Sequence, residues 1–249
     1  MAPASTNLYG DLCTELYERL HPTAPEDELA FFLSYARTDS RILESLCGSG
    51  RLLLPFLQRG FSIYGVDLSE PMLGRLRKKT PNACVIQADL LAFAPEERFD
   101  YIFIPACSIG LFTDRSDLEQ VLEKLCRLLV PGGVLVFSVD TTVTRQDSPL
   151  PEITASVPLE NGIKLTLETR YRYDADTQTQ YAPGIYTLSD QGCCLRQEEM
   201  GFQFHLFRPG EMEPLLQKAG FGKVQVYSSY QRETVLSDKT ETLVYECRL

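Results

Sequence analysis

This chain of 249 residues lacks any apolar run near the ~18 residues that a membrane span requires. Its longest candidate, from Leu52 to Leu57, is broken by Pro55. Residues Met1 to Asn7 contain no basic stretch followed by an apolar one, so no secretory leader is expected there. Positive charge is also short: 24 Lys and Arg face 34 Asp and Glu, a net charge of −10. The densest basic cluster, Arg75-Leu76-Arg77-Lys78-Lys79, reads as the solvated end of a helix. A field of this sign repels nucleic acid and favours a small-molecule partner. Only His21 and His205 could join the eight cysteines as metal ligands, and no C-x-x-C pair exists. Zinc sites need closely spaced ligands, so no metal is expected. The cysteines read as buried, reduced thiols of a cytoplasmic protein.

What is present is ordinary globular composition, 44% apolar and 23% charged. Two helices open the chain, the first from about Leu8 to Leu20. The second carries the pattern Thr23-Ala24-Pro25-Glu26 of a capping box. From Arg41 strands and helices alternate. Ile42-Leu43, Ile63 to Val66, Cys84 to Ile86, Phe99 to Ile104 and Val134 to Val139 read as strands. This rhythm predicts a parallel sheet covered by helices on both faces. After Asp140 the period changes to two: Leu165, Leu167, Tyr171 and Tyr173 alternate with Lys164, Glu168, Arg170 and Arg172. Residues 146–205 therefore read as an antiparallel insertion, either a substrate lid or a contact for a homodimer. Residues 1–145 and 206–249 form the main domain, with 1–38 as a helical cap. A helix starting at Pro209 and stopped by Gly220 precedes two closing strands.

The informative stretch is Glu44-Ser45-Leu46-Cys47-Gly48-Ser49-Gly50, a strand running into a glycine-rich turn at a helix start. Glycines let the backbone approach a ligand, and a helix start offers free N–H groups. Asp67 lies 17 residues beyond Gly50 at the end of the second strand, placed to accept from both hydroxyls of a ribose. Asp89 ends the third strand, within reach of an adenine edge. Ligands of open parallel sheets lie outside the carboxyl ends of the strands, so these groups converge on one nucleoside. A nicotinamide fingerprint needs a third small residue, and positions 48, 50 and 53 read Gly, Gly, Leu.

The chain resembles the class I S-adenosylmethionine-dependent methyltransferases over residues 40–140 and 207–249. The matching residues are Glu44-x-x-Cys47-Gly48-Ser49-Gly50, Gly65-Val66-Asp67-Leu68-Ser69-x-x-Met72, Ala88-Asp89 and Leu128-Leu129-Val130-Pro131-Gly132-Gly133. Met212-x-x-Leu215-Leu216-x-x-Ala219-Gly220-Phe221 matches as well. Leu46 stands where the family has its first glycine. The resemblance implies a seven-stranded, mostly parallel Rossmann-like sheet with one antiparallel strand near its end. It implies that S-adenosylmethionine is the methyl donor and S-adenosylhomocysteine the product. Cofactor contacts would come from Glu44, Cys47, Gly48, Ser49, Gly50, Asp67, Leu68, Met72, Asp89 and Leu90. Pro105, Ala106 and Cys107 would lie beside the transferring methyl.

Methyl transfer to nitrogen, oxygen or carbon of a small acceptor needs alignment first and a base second. His205 is either that base or a strand histidine on the wet face of the insertion. Tyr9 and Tyr17 either cover the donor or pack as aromatics of an amphipathic helix. The rival reading is a non-catalytic nucleoside sensor on the same fold, with Leu46 as its support.

Overall fold

Strands buried on both faces must be apolar on both faces, and the run Tyr101–Ile104 meets that demand. In the computed structural model, which describes residues 7–233 and 235–249, it lies at the middle of a sheet with four of its side chains fully buried. Residues 1–6, where no leader was expected, and residue 234 lie outside the described residues.

The elements run α1 (Asp11–Leu20), α2 (Glu26–Leu33), β1 (Arg41–Ser45), α3 (Leu53–Gln58), β2 (Ser62–Asp67), α4 (Glu70–Lys79), β3 (Cys84–Gln87) and β4 (Phe99–Ile104). Next come α5 (Arg115–Leu128), β5 (Leu129–Asp140), β6 (Ser148–Pro158), β7 (Ile163–Asp174), β8 (Thr179–Tyr181), β9 (Gly184–Asp190), β10 (Cys193–Met200) and β11 (Gln203–His205). The chain closes with α6 (Met212–Ala219), β12 (Lys223–Tyr227) and β13 (Thr242–Arg248). The main sheet has seven strands in the order β12-β13-β5-β4-β1-β2-β3. Only β13 runs antiparallel to its neighbours. Alternate residues feed two cores. Leu43, Ile102, Ile104 and Leu135 face α5 and α6, while Ile42, Tyr101, Phe103 and Val136 face α2, α3 and α4.

The second sheet lies within the predicted insertion. Five strands follow the order β10-β9-β7-β8-β11, and β6 pairs with β7 off this path. Leu165, Tyr186 and Met200 on its covered side pack against Leu12, Cys13 and Leu16 of α1. Helix α1 thus seals the insertion and also pairs with α4 through Glu15–Arg75 and Glu18–Lys79.

Several local expectations are corrected. Helix α1 begins at Asp11 rather than Leu8, because Gly10 is extended there and forms the cap. Pro25, not Thr23, occupies the cap of α2, and the cap residue makes no side-chain bond to that helix start. Proline fixes an extended entry and supplies no capping oxygen. Helix α6 begins at Met212, one turn after Pro209. Pro131-Gly132-Gly133 belongs to β5 rather than to a turn before it. Ser69 does cap α4, accepting from the Met72 N–H at 3.2 Å. All eight cysteines are free, but Cys84, Cys193 and Cys194 are exposed rather than buried. Among the described residues no helix is long and apolar enough to cross a membrane.

Candidate functional site

At the carboxyl ends of β1, β2 and β3 the chain turns outward and leaves a cavity of about 500 Å³. Gly48, Asp67 and Asp89 come from those three turns and line it together. Leu68, Met72, Leu90, Ala106 and Tyr9 line it too. The lining includes four aspartates, Asp67, Asp89, Asp114 and Asp117, and no lysine, arginine or histidine.

Asp67 organises the floor. Its Oδ2 accepts from the Gly48 N–H and its Oδ1 from the Ser69 N–H, both at 2.8 Å. One carboxylate thereby ties the glycine turn to the start of α4. Burial raises its pKa, and the N–H donors oppose that rise only in part. Asp89 Oδ1 accepts from the Leu91 N–H at 2.8 Å, and its side chain stands open to the cavity.

The glycine turn follows from backbone geometry. Gly48 and Gly50 have φ of +51° and +84°, which favour glycine. A Cβ on Gly48 would meet only Met72 Sδ, at an ordinary contact distance of 3.9 Å. Leu46 also sits at φ +59°. The turn therefore forms with leucine in the left-handed conformation, and the Leu46 side chain becomes part of the cavity wall.

The other predicted residues of this turn stand behind the wall. Cys47 is buried against Gly65, and Gly50 packs against Leu76. Ser49 donates to Glu18 of α1. Glu44 is buried, its Oε2 has no partner, and burial pushes its pKa well up. These four do not touch the cavity; they hold the turn that does.

A second turn follows β4. Ala106 and Cys107 both have φ of +55°, two consecutive left-handed residues that are not glycine. Such strain persists only where surroundings impose it. Here the Ala106 N–H donates to Glu28 Oε1 at 3.1 Å and the Cys107 N–H to Ser138 Oγ at 3.0 Å. Glu28 in turn accepts two bonds from Arg51, at 2.6 and 3.0 Å, with Glu28 buried and Arg51 largely so. One ion pair therefore fixes α2, the residue after the glycine turn and the turn after β4. Ala106 lines the cavity; Pro105 and Cys107 do not.

The roof comes from segments that the sequence reading did not bring together. Asn7 Nδ2 donates to Gln203 O at 2.8 Å and to Leu111 O at 3.2 Å. Its Oδ1 accepts from the Gln203 N–H at 2.9 Å. Tyr9 meets Tyr17 and Phe202 edge-to-face, each at 6.3 Å, and its carbonyl accepts from Ser69 Oγ at 2.7 Å. Burial raises the pKa of both phenols, so they stay neutral. Asn7, Phe112, Thr113 and Gln203 were missed as lining residues. No local pattern marks them, since Asn7 and Gln203 are 196 positions apart.

His205 is not among the residues that line this cavity. Its Nε2 lies 3.0 Å from Glu211 Oε1 and 3.2 Å from Gln178 Nε2, and its ring packs on Phe207. It is neither a cavity group nor a solvated surface histidine, because only 14% of its side chain is exposed.

Residues 42–133 match the family model described as a methyltransferase domain. A putative methyltransferase of Bacillus subtilis, YqeM, is 26% identical over 132 residues, covering 51% of this chain and 53% of that protein. A dTDP-3-amino-3,6-dideoxy-alpha-D-glucopyranose N,N-dimethyltransferase of Streptomyces fradiae is 27% identical over 135 residues, with the same coverage of both chains. The chain spans about half the length of the curated relatives it matches. Among solved structures, an S-adenosylmethionine-dependent methyltransferase of Clostridium acetobutylicum superposes with a TM-score of 0.77 at 15% identity, covering 94% of this chain and 96% of that one. The sugar N-methyltransferase KedS8 of Streptoalloteichus gives 0.75 at 22% identity, covering 100% and 99%. At such identities the likeness establishes the fold.

Proposed function

The chain belongs to the class I S-adenosylmethionine-dependent methyltransferase family, and from that premise we propose that it moves a methyl group to a small-molecule acceptor. The observation that carries this reading is the charge of the cavity. Four carboxylates and no basic side chain suit a cationic nucleoside that carries no phosphate. The same wall disfavours the pyrophosphate of a dinucleotide.

The residues present fit such a cofactor. Asp67 would accept from both ribose hydroxyls through lone pairs left beside its two N–H bonds. Asp89 would take the adenine amine, with Leu68, Met72 and Leu90 flanking the adenosine. Gly48, which lines the cavity with no side chain, would leave room for the methionyl part. Glu44, Cys47, Ser49 and Gly50 would act from behind, by fixing the turn. The cofactor supplies a methyl carbon already activated by its sulfonium. The protein's share is alignment: Ala106, Tyr9 and Tyr17 bound the space where the acceptor's lone pair must face that carbon. With no histidine in the lining, an acceptor that is neutral and nucleophilic before transfer, such as an amine, fits best. Its proton can leave to water or to the rim carboxylates after the new bond forms. The Streptomyces relative named for an amino sugar nucleotide agrees with that class of acceptor.

The sensor reading loses its particular support, because Leu46 itself takes the left-handed turn. Thermal unfolding of the native protein and of Asp67→Ala tests the proposal. Ligand at 100 times its dissociation constant adds ~2.7 kcal/mol to stability. For a chain of this size that raises the midpoint by ~5–10 °C. Both sulfur nucleosides should produce this rise in the native protein and neither in the variant. A rise with NAD⁺ alone, or with no ligand at all, would overturn the proposal. Because ribose hydroxyls need ionised Asp67 as acceptor, affinity should fall as pH drops through its raised pKa.

A further inference from the structure

We propose, resting on the methyl-transfer reading, that the insertion carries an anion subsite in which Arg170 and Arg172 hold a phosphate or diphosphate group of the acceptor. Strand register assembles the site. Arg172 of β7 stands opposite Tyr181 of β8, and Tyr181 stands opposite Gln203 of β11. Directly opposed residues of antiparallel strands share a face. Guanidinium, phenol and amide therefore form one row across three strands. Arg170, two positions along β7, projects to the same side.

A cavity of about 550 Å³ opens over this row, lined by Arg170, Arg172, Tyr181 and Gln203. Gln203 also lines the first cavity, and Phe202 of the second meets Tyr9 of the first. The two spaces thus share a wall. An acceptor that passes over Gln203 would have its anionic end in one and its nucleophile in the other.

Charge makes the case stronger. The chain carries −10 overall and the first cavity has no cation, yet the second places two guanidiniums two residues apart. Arg172 is held rather than mobile, its Cζ lying 4.1 Å from the Tyr181 ring centroid. Its nearest carboxylate, on Asp174, is 3.9 Å away. Arg170 has no ion-pair partner among the described residues. Asp147 also lines this cavity and pairs with neither arginine among the described residues. Two neighbouring guanidinium forks, one unpaired among the described residues and one with only a 3.9 Å carboxylate contact, match the multiple oxygens and charge of a phosphate. A merely solvated strand face would need neither the stacked arginine nor the shared wall.

Isothermal titration of the S-adenosylhomocysteine-saturated protein tests this. The probes are inorganic pyrophosphate, uridine diphosphate and uridine, applied to the native protein, R170Q, R172Q and the double variant. Both phosphate probes should bind the native protein, weaken about tenfold in each single variant and fail with the double variant. Uridine should bind none of them. S-adenosylhomocysteine affinity and thermal midpoint should be unchanged, since both arginines are exposed. Absence of pyrophosphate binding to native protein, or equal binding by the variants, overturns the subsite. Native protein that binds pyrophosphate but not S-adenosylhomocysteine instead overturns the methyl-transfer reading and leaves the subsite standing.

Discussion

The two cavities that meet at Gln203 are built by different means. The first gathers its groups at strand ends: Gly48, Asp67 and Asp89 come from three successive turns of a parallel sheet. Its polar partners are largely backbone N–H groups, as at Asp67. The second gathers Arg172, Tyr181 and Gln203 from within strands, by cross-strand register alone. The first is acidic and the second basic. Strand ends suit a cofactor that many chemistries share, because turns fix the backbone regardless of the outward side chains. Strand interiors suit an acceptor, because each exposed position can change without disturbing the fold.

If the first region is rigid by construction, its buried ties should be costly to cut. The largest effect is expected at Glu28→Ala. That change leaves the largely buried Arg51 without its partner and removes the acceptor of the Ala106 N–H. Breaking such a pair costs about 3–5 kcal/mol, readable as a lower urea midpoint at constant slope. S-adenosylhomocysteine affinity should fall with it, because the turn after β4 loses its anchor. A loss below about 1 kcal/mol, the range of exposed pairs such as Arg196–Asp11, would erase the contrast between the regions.

Gly65→Ala comes next. A Cβ there would meet Cys47 Sγ and Leu53 Cδ1 at 2.7 Å, so the glycine turn must shift. We expect a loss of about 1–3 kcal/mol and a weaker cofactor. Unchanged affinity would show that the turn tolerates movement from below.

Much of the first region was legible in the sequence because its signals are local. Apolar runs marked the strands, glycines marked the turn, and Asp67 and Asp89 sit directly at strand ends. The second region was legible only as alternation. Strand β6 escaped notice because Pro149, Pro151 and Pro158 argue against a strand, yet it pairs only with β7 and so can tolerate them as an edge. Strand β10 is exposed over most of its length and shows no apolar alternation. Register between β7, β8 and β11 depends on turns whose geometry no residue pair announces. Asn7 and Gln203 find each other only once α1 has closed on the insertion.

The third prediction concerns Glu211, which separates a structural histidine from a catalytic one. Burial works against its ionisation, but His205, the Arg208 N–H and Gln178 outweigh it and take the pKa from 4.5 to about 2. A lowered carboxylate pKa adds stability above the unfolded value, and this is lost as pH falls from about 4.5 toward 2. Discounted for its partial exposure, the contribution is about 1–2 kcal/mol. Glu211→Gln should lose that amount at neutral pH, with the gap to native closing in acid. His205→Gln should keep turnover within about threefold, whereas loss of a general base costs typically 10²–10⁴-fold. A loss on that scale would move His205 into the reaction.

The smallest effect is expected at Leu46→Gly, where opposing terms nearly cancel. Leucine at φ +59° carries a backbone penalty of about 1–2 kcal/mol that glycine does not. Against this, glycine removes a side chain that packs on the core beside α5 and α6, and it loosens the unfolded chain by roughly 0.5–1 kcal/mol. Stability should therefore stay within about 1 kcal/mol of native. Cofactor affinity is the sharper readout, because Leu46 faces the cavity while the turn itself is unchanged. Retained affinity for S-adenosylhomocysteine means that backbone geometry alone makes the cradle. Lost affinity, with the fold intact, means that leucine has become one of its walls, and that this chain binds its cofactor through a side chain where the family pattern has none.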